Sequence, residues 1–195
     1  MQLAPVTLEN RFVRLEPLAE IHREGLRAAC AADADVWSAL YPYSMIGEGF
    51  DTAWTRLTGP DAAAGRTLAF AVLVDGVCTG VSCYLNIAGA DNTVEIGGTY
   101  YAPGARGGAV NPAAKHLLLG HAFASGAMRV QLNVDGINAR SRAAVLKLGA
   151  IQEGILRQNR ITWTGRVRDT VVFSILAEEW PAVRDGLDAR LAALD

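Results

Sequence analysis

Hydrophobic and polar positions change their spacing several times along this chain of 195 residues. Near the start, apolar residues alternate with charged ones over 12–18, which predicts a strand, and the apolar residues of 21–30 follow at helical spacing. The aromatic-rich segment 37–50 is broken by proline and glycine and is interpreted as a shaped loop, followed by a second helix over 51–64. The chain therefore opens as strand, helix, loop and helix.

A period of two begins at Thr67 and continues through the next three extended segments. Strands over 67–74 and 77–87 flank Asp75-Gly76, a dipeptide typical of tight hairpin turns. A third strand, VEIGGTYY, covers 94–101. These three segments predict an antiparallel meander.

The second half alternates helical and extended patterns. We predict a helix over 112–125, a strand over 129–134 and a helix over 138–148 that stops at Gly149. Segments 151–163 and 167–176 form a closing hairpin, and an amphipathic helix follows Trp180-Pro181. Because no linker or repeat divides the chain, the pattern predicts a single α/β domain over 1–195 with strands of mixed direction.

Composition narrows the function classes. The chain is 51% hydrophobic and 19% charged, with a formal net charge of −2. No long basic stripe is available to neutralise nucleic-acid phosphates, so a nucleic-acid partner is not expected. No signal peptide or membrane-spanning run is apparent, and three unpaired-looking cysteines suit a reducing compartment, so a cytoplasmic location away from membranes is expected.

The stretch ARGGAVNPAAK places two glycines before the helix predicted at 112–125. Unpaired N–H groups at a helix start attract anions, and Gly107 and Gly108 would let a phosphate approach the backbone closely. Asn111 is a good helix cap and Pro112 suits a first turn. A plain flexible turn is the alternative. The segment lacks the P-loop and dinucleotide-binding patterns, so nucleotide hydrolysis and hydride transfer are not indicated.

The ordered set of elements and motifs resembles the GNAT superfamily of acetyl-coenzyme A dependent N-acetyltransferases. RGGAVN falls where that family has its glycine-rich turn, and NARSRAAVLKLGA resembles its Asn-led helix. NRFVRLEPL, EGILRQNR, RDTVVFSIL and EEWP resemble the branch of ribosomal-protein-alanine N-acetyltransferases. The resemblance implies the acyl-CoA N-acyltransferase fold, a mixed and largely antiparallel twisted sheet flanked by helices.

The resemblance also implies acetyl-CoA as cosubstrate, with its diphosphate held by the turn. Ala109 stands where the family pattern has Gly, and Asn111 stands where it has Gly or Ala. Arg106 contacts the phosphates or remains a solvated surface residue. The glycines within VEIGGTYY favour a bulge whose backbone faces the pantetheine arm. The cofactor-binding residues implied are Gly98, Thr99, Tyr100, Arg106, Gly107, Gly108, Ala109, Val110, Asn111, Asn138 and Ser141.

Glu95 is the carboxylate expected nearest the reaction centre. The attacking ammonium must lose a proton, and a partly buried carboxylate is a suitable acceptor; a cross-strand ion pair is the alternative role. Many family members have a tyrosine acid where this chain has Val145, and some have a carboxylate where it has Asn133. The resemblance to the ribosomal-protein branch, in which a serine contacts the coenzyme sulfur, implies Ser141 as the second catalytic candidate; an ordinary first-turn serine is the alternative.

The acceptor site implied by the resemblance combines the early helices with the closing hairpin. Its candidate residues are Trp37, Tyr41, Tyr43, Phe50, Glu95, Arg160 and Trp163. Packing is the alternative role for each of the aromatic residues among them. The acceptor is a primary amine, with a protein N-terminus favoured and a small-molecule amine or a non-catalytic CoA-binding role as alternatives; a homodimer is left open.

Histidine and cysteine patterns point to no additional chemistry. His116 and His121 are five residues apart, which does not suit metal chelation, and no metal is expected. Cys78 and Cys83 lie on an apolar strand, where packing is favoured over covalent acyl transfer.

Overall fold

The computed structural model describes residues 1–194 as a twisted sheet with helices on both faces. The strands are β1 (Leu8–Glu9), β2 (Arg14–Pro17), β3 (Leu68–Val74), β4 (Val77–Ala88), β5 (Thr93–Tyr101), β6 (Arg129–Asp135), β7 (Ile151–Ile161) and β8 (Val167–Leu176). The helices are α1 (Arg23–Ala31), α2 (Asp35–Leu40), α3 (Gly49–Thr58), α4 (Pro60–Ala63), α5 (Val110–Ala124), α6 (Ala139–Lys147) and α7 (Trp180–Ala192).

Across the described residues the sheet runs β1-β2-β3-β4-β5-β6-β8-β7, and only the β5–β6 pair is parallel. This confirms the mixed, largely antiparallel α/β sheet. The predicted meander is β3, β4 and β5, and the closing hairpin is β7 and β8. Asp75 and Gly76 both have positive φ, 49° and 77°, as a two-residue hairpin turn of type I′ requires.

Strand alternation divides the core between the two faces of the sheet. Phe70 and Tyr84 point to the face covered by α5 and α7, whereas Ala69 and Cys83 point to the face covered by α1, α2 and α3. Because successive side chains in a strand point to opposite faces, both cores are built from the same apolar strands. That arrangement explains why 67–74 is apolar almost throughout.

A β-bulge interrupts this alternation in β5. Val94 and Ile96 pack on the α5 side, and regular alternation would place Tyr100 there too, yet Tyr100 packs on the α1 side and Tyr101 takes the α5 side. The pairing with β4 shifts between Val81/Tyr100 and Cys83/Gly97, and Gly98 has φ +58°. One extra residue in β5 therefore reverses the facing of the rest of the strand.

β5 and β6 also separate from each other beyond the bulge. Their parallel pairing covers only 93–95 against 129–131, although both strands continue. The gap leaves the β6-facing edge of β5 unpaired from Ile96 onwards. This confirms the expected irregularity at Gly97-Gly98 and creates an opening in the sheet.

Several helix boundaries differ from the sequence-based expectation. The segment 37–50 contains most of α2, and the helix expected at 51–64 is divided into α3 and α4. The division falls at Gly59-Pro60, where Gly59 has a non-helical ψ of −142° and Pro60 has no N–H to donate. Helix α5 begins at Val110, two residues earlier than expected.

The buried apolar side chains of the helices pack against the sheet. Among residues 1–194, no helix combines the length and the apolar character needed to cross a bilayer.

Gly80 tests the close pairing of β4 with the end of β5. A Cβ at Gly80 would lie 2.1 Å from the backbone oxygen of Tyr100. We expect Gly80→Ala to lower the free energy of unfolding by about 2–4 kcal/mol, since backbone on both sides must move. Gly154→Ala in β7, where a Cβ would meet no atom within 4 Å, is the matched control and should change it by less than about 0.5 kcal/mol. Urea denaturation measures both variants, and equal effects would contradict this account.

Candidate active site

A cavity of about 390 Å³ passes through the opening between β5 and β6. Its walls come from these two strands, from the starts of α5 and α6, from the segment around Tyr41, and from the closing hairpin. The cavity thus reaches both faces of the sheet at the place where β5 and β6 separate. Of the residues predicted for the site, it is lined by Tyr41, Tyr43, Glu95, Gly98, Thr99, Arg106, Asn111, Asn138, Ser141 and Arg160.

Glu95 is the last residue of β5 that pairs with β6, and the two strands separate beyond it. Asn86 Nδ2 donates to Glu95 Oε2 at 2.9 Å, and Asn133 also hydrogen-bonds the carboxylate. Burial raises the pKa of Glu95 above its usual value, while the two amides and the charges of Arg160 and Arg168 act in the opposite direction. Glu95 is therefore a partly buried carboxylate that retains access to the cavity.

The glycine turn before α5 leaves space around its backbone. Gly107 has φ +83°, which favours glycine, and a Cβ at Gly107 or Gly108 would meet no atom within 4 Å. The prediction that Asn111 caps the helix is wrong: Ala109 precedes α5 and Asn111 belongs to its first turn. Pro112 is tolerated there because first-turn N–H groups have no partner within the helix. Asn111 instead lines the cavity.

Arg106 is held within the protein. Its Nε donates to the Tyr101 carbonyl at 2.7 Å, its Nη1 pairs with Asp33, and its guanidinium lies 5.3 Å from the centre of the Tyr100 ring. These contacts fix the chain as it leaves β5 and enters the glycine turn. The side chain also lines the cavity.

Asn138 caps α6 as expected. Its Oδ1 accepts from the backbone N–H of Ser141 at 2.9 Å, and both residues line the cavity. Val145, one turn further along the same helix, is buried and presents only apolar atoms to that cavity. Among the α6 side chains named, Ser141 alone can donate a hydroxyl proton.

The aromatic candidates divide into cavity-lining and supporting residues. The Tyr41 hydroxyl donates to the Thr99 carbonyl at 2.6 Å, and Tyr43 lines the cavity beside it. Trp37 is not brought to the cavity: it is fully buried, stacks on Tyr100 at 4.6 Å, and donates to the Cys30 carbonyl. Phe50 is fully buried as well. Trp37, Tyr100 and Phe50 therefore support the wall from behind.

The closing hairpin is attached to the same wall. Trp163 Nε1 donates to the Trp37 carbonyl at 3.0 Å, and the Trp163 N–H donates to the Pro42 carbonyl at 3.2 Å. These contacts place β7 over the cavity.

Comparisons of this fold with solved structures give consistent matches over almost the full chain. A protein from T. thermophilus, provisionally described as an acetyltransferase, is 34% identical, with 98% of this chain and 100% of that chain covered and a TM-score of 0.85. A GCN5-related N-acetyltransferase from Brucella melitensis is 29% identical, with 98% and 87% covered and a TM-score of 0.89. This chain belongs to the GNAT superfamily.

A third GNAT structure is RimJ of Mycobacterium smegmatis in complex with CoA-disulfide. It is 25% identical, with 100% of this chain and 98% of that chain covered and a TM-score of 0.84. Searches by sequence against protein-family models and curated proteins return no match.

Lys115 is a residue of the GNAT cavity that sequence reasoning missed. It lies on α5 and is 5% exposed, and its ammonium donates to Thr99 Oγ1 at 2.8 Å and to Ser82 Oγ at 3.2 Å. No carboxylate among residues 1–194 pairs with it. Burial lowers its pKa to about 7. A lysine on a mostly apolar helix face was the available signal in the sequence.

The Lys115 contacts join two parts of the site. Ser82 and Thr99 hydroxyls lie 2.7 Å apart, so one ammonium links the helix that follows the glycine turn to the strand that carries the bulge. Because the Tyr41 hydroxyl donates to the Thr99 carbonyl, the hydroxyl and the carbonyl of Thr99 are both fixed.

Cysteine and histidine chemistry has no support in this cavity. Burial raises the pKa of Cys83 to about 12 and also raises that of Cys78, so neither thiol is disposed to ionise. His116 pairs with Asp188, and His121 contacts the Tyr84 hydroxyl. Within the described chain, no group of three or more His, Cys, Asp or Glu side chains could hold a metal ion.

The buried ammonium gives a testable pH dependence of stability. The pKa of Lys115 is about 7 in the folded protein, against an ordinary value of 10.5 when unfolded. Between these values the unfolded chain binds more protons, so the free energy of unfolding should rise with pH by on the order of 1 kcal/mol per unit. Below about pH 7 both states are charged and the contribution is constant. Lys115→Met removes this rise, as thermal and urea denaturation at several pH values would measure.

Lys147→Met is the matched control, because Lys147 is exposed on α6. Its stability should follow the wild type across the same pH range. A constant difference between wild type and Lys115→Met over the interval between the two pKa values would contradict the account of Lys115.

Proposed function

We propose that residues 1–195 form one acetyl-CoA-dependent N-acetyltransferase domain that acetylates a primary amine by direct attack in a ternary complex. The observation that carries the proposal is the opening between β5 and β6, beside the bulge at Gly98 and continuous with the Glu95 cavity. An unpaired strand edge can bind an extended amide chain, and the cavity lets an amine approach the same point from the other face.

The residues present fit coenzyme A. The backbone around Gly107 and Gly108 is open where a Cβ would otherwise project, and it leads directly into the first N–H groups of α5. A diphosphate is suited to such a turn. RimJ of M. smegmatis, which matches the whole chain, is itself in complex with CoA-disulfide. The proposed contacts are those of Gly98, Thr99, Tyr100, Arg106 to Asn111, Asn138 and Ser141, of which Tyr100 supports from the core.

Two side chains of this protein assist the proposed reaction, Glu95 and Ser141. Glu95, as carboxylate, accepts a proton from the incoming ammonium, directly or through a water molecule. Acetyl-CoA supplies the activated acetyl group. The unpaired backbone N–H groups of β5 orient and polarise the reacting carbonyl, and the Ser141 hydroxyl donates a hydrogen bond towards the departing sulfur.

For the acceptor, we favour a protein N-terminus of the ribosomal-protein type. The support is the resemblance of the terminal motifs to that branch. The alternatives are a small-molecule amine and a non-catalytic CoA-binding module, and a cytoplasmic location is proposed for either enzyme. CoA release measured with a panel of peptides and small amines separates them: turnover of any amine contradicts the binding module, and tight binding without turnover supports it.

A substitution at Gly108 tests whether the turn binds the diphosphate, independently of acetyl transfer. Gly108→Val should weaken CoA binding at least about tenfold, because side-chain atoms would then occupy the approach to the backbone N–H groups. Its melting temperature should remain near that of the wild type, since nothing lies within 4 Å of the added Cβ. Gly104→Val, at an equally open glycine preceding the turn, is the control. Calorimetric titration with CoA measures both, and unchanged affinity in Gly108→Val would argue against this phosphate site.

A substitution of Glu95 tests the proposed proton transfer from the acceptor amine. Glu95→Gln should lower kcat by about 100-fold, the contribution typical of a general base, while CoA affinity stays constant. In the wild type, kcat should rise with pH as Glu95 loses its proton, at a pKa above the usual carboxyl value. The variant should not show this rise of kcat with pH. Steady-state kinetics over pH measure both effects. Unchanged turnover would remove Glu95 from the mechanism.

A further inference from the structure

Three arginines converge on the acceptor side of the cavity from separate elements. Arg56 comes from α3, Arg160 from β7 and Arg168 from β8, and all three line the same cavity as Glu95. Arg56 and Arg160 also line a smaller adjoining cavity of about 130 Å³ beside Glu95 and Tyr43. None of the three belongs to the glycine turn.

Arg160 and Arg168 are direct cross-strand neighbours in the β7–β8 hairpin. Residues in such positions project from the same face with Cβ atoms about 4.5–5.5 Å apart, and like charges there are unfavourable. Arg168 is only 8% exposed, and its Nε has no hydrogen-bond partner among the described residues. Burial lowers its pKa, the charge of Asp135 acts in the opposite direction, and the charge of Arg160 adds to the effect of burial. Among the described residues, one carboxylate, that of Asp135, lies within ion-pair distance of this pair of guanidinium groups, next to Arg168.

Neither of the nearby carboxylates serves the arginine pair alone. Asp135 Oδ2 lies 3.7 Å from Arg168 Nε, too far for a hydrogen bond, and Asp135 is already paired with Arg166. Glu95 is held by its two amide partners. In the described part of the chain, neither Arg56 nor Arg160 forms an ion pair, and the Arg56 guanidinium lies 4.8 Å from the centre of the Tyr43 ring.

A simple cationic amine is poorly matched to these surroundings, since three guanidinium groups would repel it. Of the two carboxylates that line the larger cavity, Asp135 is already paired with Arg166, which leaves Glu95 to attract the amine. We propose that the acceptor carries an anionic group, a carboxylate, within a few atoms of its reactive amine. The ammonium faces Glu95, and the carboxylate binds Arg160 and Arg168, with Arg56 closing the smaller cavity. Arginine is suited to this role because its planar guanidinium group donates two parallel hydrogen bonds to one carboxylate. This inference rests on the proposed acetyltransferase function.

Two sources could provide the carboxylate: an acidic side chain at a peptide N-terminus, or the α-carboxylate of a free amino acid. Matched pairs distinguish them. One pair is Asp-Ala-Ala-Ala amide against Asn-Ala-Ala-Ala amide, and the other is free alanine against alaninamide. We expect the charged member of one pair to have a kcat/KM at least about tenfold above its neutral partner, since a site built for charged hydrogen bonds discriminates against an acceptor that leaves them unmade.

Arg160→Gln should reduce that ratio to near one and leave CoA affinity unchanged. The matched control is Arg157→Gln, an exposed arginine on the same strand that does not line either cavity. Its ratio should equal that of the wild type. Arg56→Gln should lower the ratio in part, which provides a second variant at an exposed position where folding is not at risk.

Two outcomes overturn the inference while leaving the acetyltransferase proposal intact. One is equal turnover of charged and neutral members in both pairs. The other is an Arg160→Gln variant that loses CoA affinity but retains its acceptor preference, which would assign the arginines to the coenzyme.

If no amine is acetylated, the acetyltransferase proposal fails, and binding tests the anion site by itself. Calorimetric titration of the CoA-bound protein would then compare N-acetyl-Asp-Ala-Ala-Ala amide with its Asn counterpart. Tighter binding of the acidic peptide, lost in Arg160→Gln, supports the site. Equal binding of the two peptides overturns it.

Discussion

The extra residue in β5 is the constraint on which the site depends. A bulge at Gly97-Gly98 reverses the facing of the strand, so Glu95 and Thr99 serve different faces although they are an even number of residues apart. The same irregularity ends the pairing with β6, since the two strands no longer follow a common register. Without the bulge, β5 would continue in the sheet, and neither a gap nor a cavity through it would exist.

Buried polar groups stabilise this irregularity at a cost. Lys115 is placed where burial penalises its charge, and it is retained with two hydroxyl partners instead of a carboxylate. A carboxylate there would pair with Lys115 but would also add negative charge beside the proposed diphosphate turn. The hydroxyls of Ser82 and Thr99 hold the ammonium without adding charge, so its positive charge remains available to the cavity. Burial of the Lys115 charge costs folding stability. Groups with such shifted pKa values are often found in the clefts of functional sites.

Local patterns in the sequence predicted seven of the eight strands among the described residues and the antiparallel meander and hairpin, but not the two-residue strand Leu8–Glu9. Asp75-Gly76 predicts its hairpin because two positive φ angles admit few residues, and Asn138 predicts its helix start because its side chain caps locally. The same local reasoning failed for the cap at Asn111, because the chain leaving Arg106 enters the helix earlier. Trp37 and Lys115 depend on partners in β5, Tyr100 and Thr99, so spacing within their own helices could not place them.

The charge arrangement at the acceptor end bears on the proposed role of Glu95 as a base. A base has to be ionised to accept a proton, yet the burial that excludes water favours its neutral form. The hydrogen bonds of Asn86 and Asn133 counter that effect on the pKa of Glu95, and the charges of Arg160 and Arg168 add to them. The same two charges then repel the ammonium that Glu95 is to deprotonate. An acceptor with its own carboxylate resolves this conflict, because it neutralises the arginines on arrival and lets the pKa of Glu95 rise when the site is filled, which makes the carboxylate a stronger base at the moment of attack.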